Sequence, residues 1–213
     1  DSEVFVMEEP VLDPKEMHII WQRYFLWDIF DNMNMDVDQV ILVDCDTLVH
    51  PKAPNVFNQT EHKYCLVHDF GSYDWIIRGL EWYKHLFTND GFDIFEYSNS
   101  GFQLMGKKHK DFYTKMLELW EERGDEIIEI SEKYGLGKEQ AIWNWMIREH
   151  DIEYELLPYK YNMTNMATKE ILNINIFTKL GWIYHFNGLE GKEEGSVRRV
   201  MEETYRYLNE IEL

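Results

Sequence analysis

The chain has 213 residues, 45% of them hydrophobic and 15% aromatic, with 40 acids against 21 Lys and Arg and a formal charge of −19. That suffices for one domain, residues 1–213, with a sizeable core and is short for two; the acidity argues against nucleic acid or an anionic membrane as partner, because both need a basic stripe. No run approaches the ~20 apolar residues of a membrane span, no basic leader opens the sequence, and two cysteines make no disulfide framework, so a reduced, cytoplasmic protein is expected.

In chain order, "EVFVM" (3–7) reads as a short strand, separated by Pro10 and Pro14 from the next segment. "PKEMHIIWQRYFLWDIFDNM" (14–33) reads as one helix with Pro in its first turn, apolar almost all round and therefore buried. "DQVILVDCD" (38–46) reads as a strand buried on both faces, as in a parallel sheet. "HKYCLVHDF" (62–70) is another strand. Residues 71–96 are rich in Trp, Tyr and Phe and irregular, with glycines at 71, 79 and 91. "YSNSGFQLMG" (97–106) reads as a turn feeding a strand, and 108–134 as a charged helix or helix pair. "GKEQAIWNWMIREH" (137–150) is a helix, "IEYELLP" (152–158) a strand, "GWIYHFNG" (181–188) a strand ending in a loop, and 193–211 an acidic helix. Strands and helices mix throughout, which makes the class α/β with some antiparallel pairing.

The chemistry concentrates in "VILVDCDTLV" (40–49). On an extended strand Asp44 and Asp46 share a face and Cys45 points the other way. Two like charges side by side repel unless a cation compensates. Strand ends in open α/β sheets are where ligands bind, and a hard divalent ion suits carboxylate oxygens and bridges to a diphosphate. An acidic protein that handles an anionic substrate needs such a positive charge. The alternative is a turn in which each Asp caps a backbone amide.

Two enzyme classes end a hydrophobic strand this way. In haloacid-dehalogenase-like phosphatases Asp44 would be the nucleophile, but the usual glycine before Thr47 is absent, as are the later Lys and acidic pair. In GT-A glycosyltransferases the pair holds a metal on a nucleotide sugar. A non-catalytic sugar-nucleotide binding module is a third reading.

Further segments, in matching order, make the chain resemble family 8 glycosyltransferases of the glycogenin-like kind over residues 22–192. "DCDTLV" is similar to the family's D-A-D-T-L-V, and "QRYFLW" (22–27) to T-K-L-H-C-W. "CLVHD" (65–69) is similar to the strand ending A-P-D, and "SNSGFQLM" (98–105) to F-N-S-G-V. "KEQAIWN" (138–144) is similar to G-D-Q-x-x-L-N, "LPYKYNMT" (157–164) to L-P-x-x-Y-N, and "IYHFNG" (183–188) to H-F-x-G-x-x-K-P-W.

The resemblance implies a GT-A fold, with a mixed, mostly parallel central sheet flanked by helices. It implies Mn²⁺ or Mg²⁺ held by Asp44, Asp46 and His185, and a UDP-sugar donor, UDP-glucose or UDP-galactose, used with retention. Arg23, Asn99, Ser100, Asn187, Gly188 and Lys192 would bind the donor, and Asp69, Glu139 and Gln140 would lie at the transferred sugar. The pattern departs at two points. Glu139 stands where the family has Asp, and the spacing to Lys192 is one residue longer without the Pro-Trp, so Arg198 or Arg199 can take that role. Only 43 residues precede Asp44, so the domain is expected to be small or N-terminally shortened. The aromatics Tyr73, Trp75, Trp82, Tyr83 and Phe87 suit either an acceptor platform or an extra helix over a satellite core. The acceptor itself is not encoded.

Overall fold

The computed structural model describes residues 6–166, 178–187 and 196–210. In chain order its elements are a 3₁₀ helix Ile19–Phe25, α1 (Leu26–Asn32), β1 (Gln39–Val43), β2 (Thr47–Val49), α2 (Phe57–Thr60), β3 (Tyr64–Val67), α3 (Tyr73–Tyr83), β4 (Phe102–Gly106), α4 (Lys110–Tyr134), α5 (Gln140–Glu149), β5 (Tyr154–Leu157), β6 (Ile183–His185) and α6 (Ser196–Glu210), with four short 3₁₀ turns between them. They fall into two compact units. One is Asp1–Asp38, Arg78–Gly91 and Lys107–Ile152; the other is Gln39–Ile77, Phe92–Gly106 and Glu153–Leu213.

The second unit carries the sheets. Its four-stranded sheet runs β1-β4-β3-β5. β4 is antiparallel to β1 and β3, and β3 is parallel to β5, so β1, β3 and β5 point one way and β4 alone runs against them. The sheet is mixed and mostly parallel in direction, as expected. Phe102 and Leu104 of β4 and Cys65 and Val67 of β3 are fully buried and form a core with Val56, Tyr161 and Ile183. β1 departs from expectation. All five of its residues are half-buried, because its one described neighbour is β4 and it forms an end of the described sheet. A second sheet pairs β2 with β6, Thr47 opposite His185, and α6 packs Val197, Val200, Met201 and Leu208 against it.

The first unit is helical. Its opening segment is not the single helix that 14–33 suggests. A 3₁₀ stretch comes first, capped by the His18 side chain, and α1 continues it for seven residues. The reason is the spacing of its aromatics. Within the stretch Trp21 and Tyr24 stand three residues apart and are both buried, which suits the three-residue turn of a 3₁₀ helix. Trp21 packs on Trp120, and Tyr24 meets Tyr113 edge-on. Ile19 stays exposed, so the segment is buried on one face rather than all round. Residues 110–134 form one helix, not a pair. Its buried positions, Phe112, Tyr113, Met116, Trp120, Ile127 and Ile130, trace the helical stripe. It ends at Gly135, whose φ of 62° makes the left-handed cap and returns its N–H to Ser131 O. Every residue of α5 from Ala141 to Ile147 is buried.

The aromatic stretch 71–96 is helical in its first half, as α3, while residues 87–93 are irregular as expected. Trp82 stacks on Tyr134, and the Tyr83 hydroxyl donates to Gly137 O, as a satellite core would require; Tyr73 and Trp75 remain exposed. Of the "EVFVM" strand, Val6 and Met7 are irregular and the rest lies outside the described residues.

Candidate functional site

The direction of the strands gathers the site. β1, β3 and β5 end at one edge, and β4 starts there. Asp44 directly succeeds β1, Asp69 lies two residues past the end of β3 with His68 between, and Asn99, Ser100 and Gly101 lead into β4. Asp69 N donates to Tyr97 O, Asn99 N to Val67 O, and Asp44 N to Gly101 O, so backbone bonds tie the three loops together.

The aspartate pair lies in a turn between β1 and β2, not on a strand face. The Thr47 hydroxyl closes that turn by donating to Asp44 O at 2.8 Å. β6 then delivers His185. Phe186 N donates to Asp46 O and His185 N to Met163 O, both at 2.9 Å. As a result His185 Nε2 lies 3.1 Å from Asp46 Oδ1 and 3.5 Å from Asp44 Oδ2. One ligand atom from each of the three residues falls within 4.8 Å of the others. The imidazole is 3% exposed, the carboxylates 27% and 29%, so the cluster opens toward solvent on its carboxylate side.

This donor set fits a divalent cation. The His185 Nδ1 atom is buried with no hydrogen-bond partner. If Nδ1 carries the proton, the Nε2 lone pair faces two carboxylates, an arrangement that a cation between them relieves. Space is reserved as well. A Cβ on Gly101 would lie 2.5 Å from Asp44 Oδ2, 2.5 Å from His185 Cε1 and 2.9 Å from Asn99 Oδ1, so only a residue without a side chain passes behind the cluster.

Beside it runs a buried polar chain. Asn99 Oδ1 accepts from Gly101 N at 3.1 Å and from Asn162 Nδ2 at 2.9 Å. The Asn99 amide nitrogen therefore turns toward Asp69, donating to its Oδ2 at 3.4 Å. Asp69 Oδ1 accepts from Gly71 N at 2.8 Å. Sequence reasoning missed Asn162, whose one signal is its place in "LPYKYN". Asn162 is fully buried. Ser100 is buried and its carbonyl accepts from Gln103 Nε2 at 3.1 Å. Asn187 holds the next turn through Oδ1, which accepts from Asn165 N.

The second unit thus brings together Asp44, Asp46, His185, Asp69, Asn99 and Ser100, with Asn187 two residues beyond His185. Arg23, Glu139 and Gln140 belong to the helical unit. Glu139 is buried, accepts a short hydrogen bond from the Tyr24 hydroxyl and precedes α5 as its cap residue. Burial, reinforced by the Glu139 charge, holds the Tyr24 hydroxyl well above the usual tyrosine range. Trp21 Nε1 donates to Lys138 O at 2.8 Å, and Asn144 Nδ2 to Gln140 O at 2.8 Å, which fixes the backbone on both sides of Glu139. Arg23 lies half-buried on the 3₁₀ stretch. Gly188 and Lys192 lie outside the described residues. Both cysteines are free, Cys45 exposed and Cys65 buried. No helix among the described residues is long and apolar enough to cross a membrane.

No family model matches the sequence, and no curated protein matches it at a significant level. Solved structures do match. A glycosyltransferase involved in the glycosylation of the major capsid of PBCV-1 superposes with a TM-score of 0.54 at 14% identity, over 92% of this chain and 81% of that one. GlyE of Streptococcus pneumoniae TIGR4 aligns with a TM-score of 0.45 at 20% identity, over 89% of this chain and 45% of its own. Mouse xyloside xylosyltransferase 1 aligns at 0.43 and 14%, over 81% and 65%. The first likeness defines the class of fold: the chain has the mixed α/β fold of a GT-A-type glycosyltransferase.

Proposed function

We propose that the protein is a metal-dependent glycosyltransferase that moves a hexose from a nucleoside diphosphate sugar, UDP-glucose or UDP-galactose, to a sugar, glycan or protein acceptor. The observation that carries this reading is the convergence of Asp44, Asp46 and His185 at the strand-end edge of a glycosyltransferase fold, over a glycine that leaves no room for a side chain. The reading treats the whole chain as one glycosyltransferase domain, related to family 8 by its motif order. Two free cysteines suit a reducing, cytoplasmic setting.

In this reading Asp44, Asp46 and His185 hold Mn²⁺ or Mg²⁺. When bound, the ion supplies Lewis-acid neutralisation of the charge that builds on the departing diphosphate. The protein's own groups orient the donor. Asn99, pinned through its Oδ1 and turned toward Asp69, stands with Asp69 as the polar pair assigned to the sugar hydroxyls. Ser100 and Asn187 line the approach to the diphosphate. Arg23 and Lys192, or Arg198 or Arg199 in its place, add positive charge there, and Gly188 permits close backbone approach. By the motif order shared with family 8, Glu139 and Gln140 are assigned to the transferred sugar, with retention of configuration. No observation favours the phosphatase reading.

The test is a thermal shift with Mn²⁺ and a set of nucleotide sugars, together with slow UDP release. Mn²⁺ plus the correct donor raises the melting temperature, and Asp46→Ala abolishes both the rise and the release. An unchanged shift in Asp46→Ala overturns the metal assignment. A shift without UDP release from any donor, with or without acceptors, leaves only a binding module.

A further inference from the structure

The cluster borders two surfaces that differ in chemistry. On the Asp44 side, Gly101 brings the carboxylate next to Asn99 and so to Asp69, a buried and wholly polar surface. On the Asp46 side lies an open cleft of about 730 Å³. Its floor is Cys45, Asp46 and Leu48, and its far wall is α6, with Val197, Met201 and Tyr205. The size falls within the ~300–1,000 Å³ of small-molecule sites, and an apolar lining with a few polar groups is their usual make-up. Glu202 stands at the rim, held by Arg198 at 2.9 Å and Arg206 at 3.9 Å. Tyr205 is 56% exposed although its helix is otherwise well packed on that side, so a large ring face is available to a ligand.

We infer that this cleft receives the nucleoside of the donor, with Tyr205 stacking on the base and Glu202 accepting from ribose hydroxyls. The inference rests on the glycosyltransferase reading and deepens it. A nucleotide sugar has a polar sugar at one end, a flat aromatic base at the other and the diphosphate between. A diphosphate anchored at the cluster leaves its two ends to be received by the two surfaces that border it. The polar Asp69–Asn99 surface matches the sugar, and the apolar cleft with its tyrosine matches the base. The sorting comes from Asp46 being at once a member of the cluster and a wall of the cleft. Helix α6 thereby supplies a base-binding wall that no motif in the sequence signalled.

The test uses the full chain with Mn²⁺ and two probes, inorganic pyrophosphate and UDP. Both bind, UDP more tightly. Tyr205→Ala lowers UDP affinity about tenfold, the usual scale for loss of one base–aromatic stack, and leaves pyrophosphate affinity unchanged. Tyr205→Phe keeps the ring and restores UDP affinity. A second readout uses the exposed Cys45 thiol, since Cys65 is buried. UDP slows its labelling by a maleimide more than pyrophosphate does. If Tyr205→Ala keeps the full preference for UDP over pyrophosphate, or if both probes protect Cys45 equally, the base lies elsewhere and the inference fails while the metal site stands. If neither probe binds with Mn²⁺, the metal reading fails and this inference with it.

Discussion

Single residues set the site's tolerances. Gly101 is the sharpest case. An alanine there would place a methyl group 2.5 Å from both Asp44 Oδ2 and His185 Cε1, well inside van der Waals contact, so the cluster must open. Gly101→Ala is expected to lose the Mn²⁺-dependent thermal shift while keeping its circular dichroism spectrum, because the collision falls on side chains at a loop rather than in the core. A shift equal to that of the parent would show the cluster is not the binding site. Asn162 works one step back. It donates to Asn99 Oδ1 and so decides which end of the Asn99 amide faces Asp69. Asn162→Asp replaces that donor with an acceptor in a fully buried position. It should weaken nucleotide-sugar binding at constant Mn²⁺ affinity, as measured by titration calorimetry with the sugar nucleotide and with the ion alone.

At the scale of elements, the segment before α5 couples catalytic expectation to stability. Glu139 is buried ahead of the helix and takes a hydrogen bond from Tyr24 on the 3₁₀ stretch. Tyr24→Phe removes that donor from a buried carboxylate and keeps the ring against Tyr113. A cost of about 1–3 kcal/mol is expected, the ordinary penalty for leaving a buried polar group short of a partner, read from urea denaturation midpoints. A change below about 0.5 kcal/mol would mean the hydroxyl contributes no net stability. Helix α4 offers a control of a different kind. Gly135 caps it at φ 62° with open space around its Cα. Gly135→Ala is therefore penalised only by backbone strain, about 1–2 kcal/mol, with no effect on ligand binding.

Across the whole molecule, buried titratable groups bracket the pH range of stability. Burial pushes the Cys65 thiol up to about 11 and the Tyr83 hydroxyl up to about 12, and it also raises Tyr24 and Tyr113. Each has a folded-state pKa above its unfolded value. The stabilisation is therefore full below the unfolded values of about 8.5 for Cys and 10 for Tyr, and is lost as pH rises through the folded values of about 11 and about 12. Burial, with Lys138, Lys52 and Lys115 respectively nearby, lowers His18, His50 and His150. Their contribution is present above the unfolded value of about 6.5 and lost as pH falls through the lowered ones. Denaturation midpoints should thus form a plateau between about pH 7 and 8.5 and fall on both sides. A midpoint that keeps rising from about pH 9 to about pH 11 would contradict the alkaline arm.

Much of the site is legible in the order of the residues alone. Short apolar runs bounded by turn residues place the strands at 64–67, 102–106 and 154–157 to within a few residues, because strand burial is a local signal. The two aspartates are legible as chemistry, since carboxylate oxygens suit a hard divalent ion, whereas His185 joins them only through the resemblance of "IYHFNG" to the family's histidine segment. Pattern alone does not separate a 3₁₀ stretch from an α-helix at 19–25, where the three-residue spacing of Trp21 and Tyr24 acquires meaning only against Trp120 and Tyr113. Nor does it reveal that β1 is half-buried, that Asp44 and Asp46 meet in a turn, or that α6 walls a cleft beside them. The residue types came from the sequence because they are a matter of composition and local order. The convergence of Asp44 with His185, 141 positions later in the numbering, came from the pairing of β2 with β6, a long-range register that no local pattern encodes.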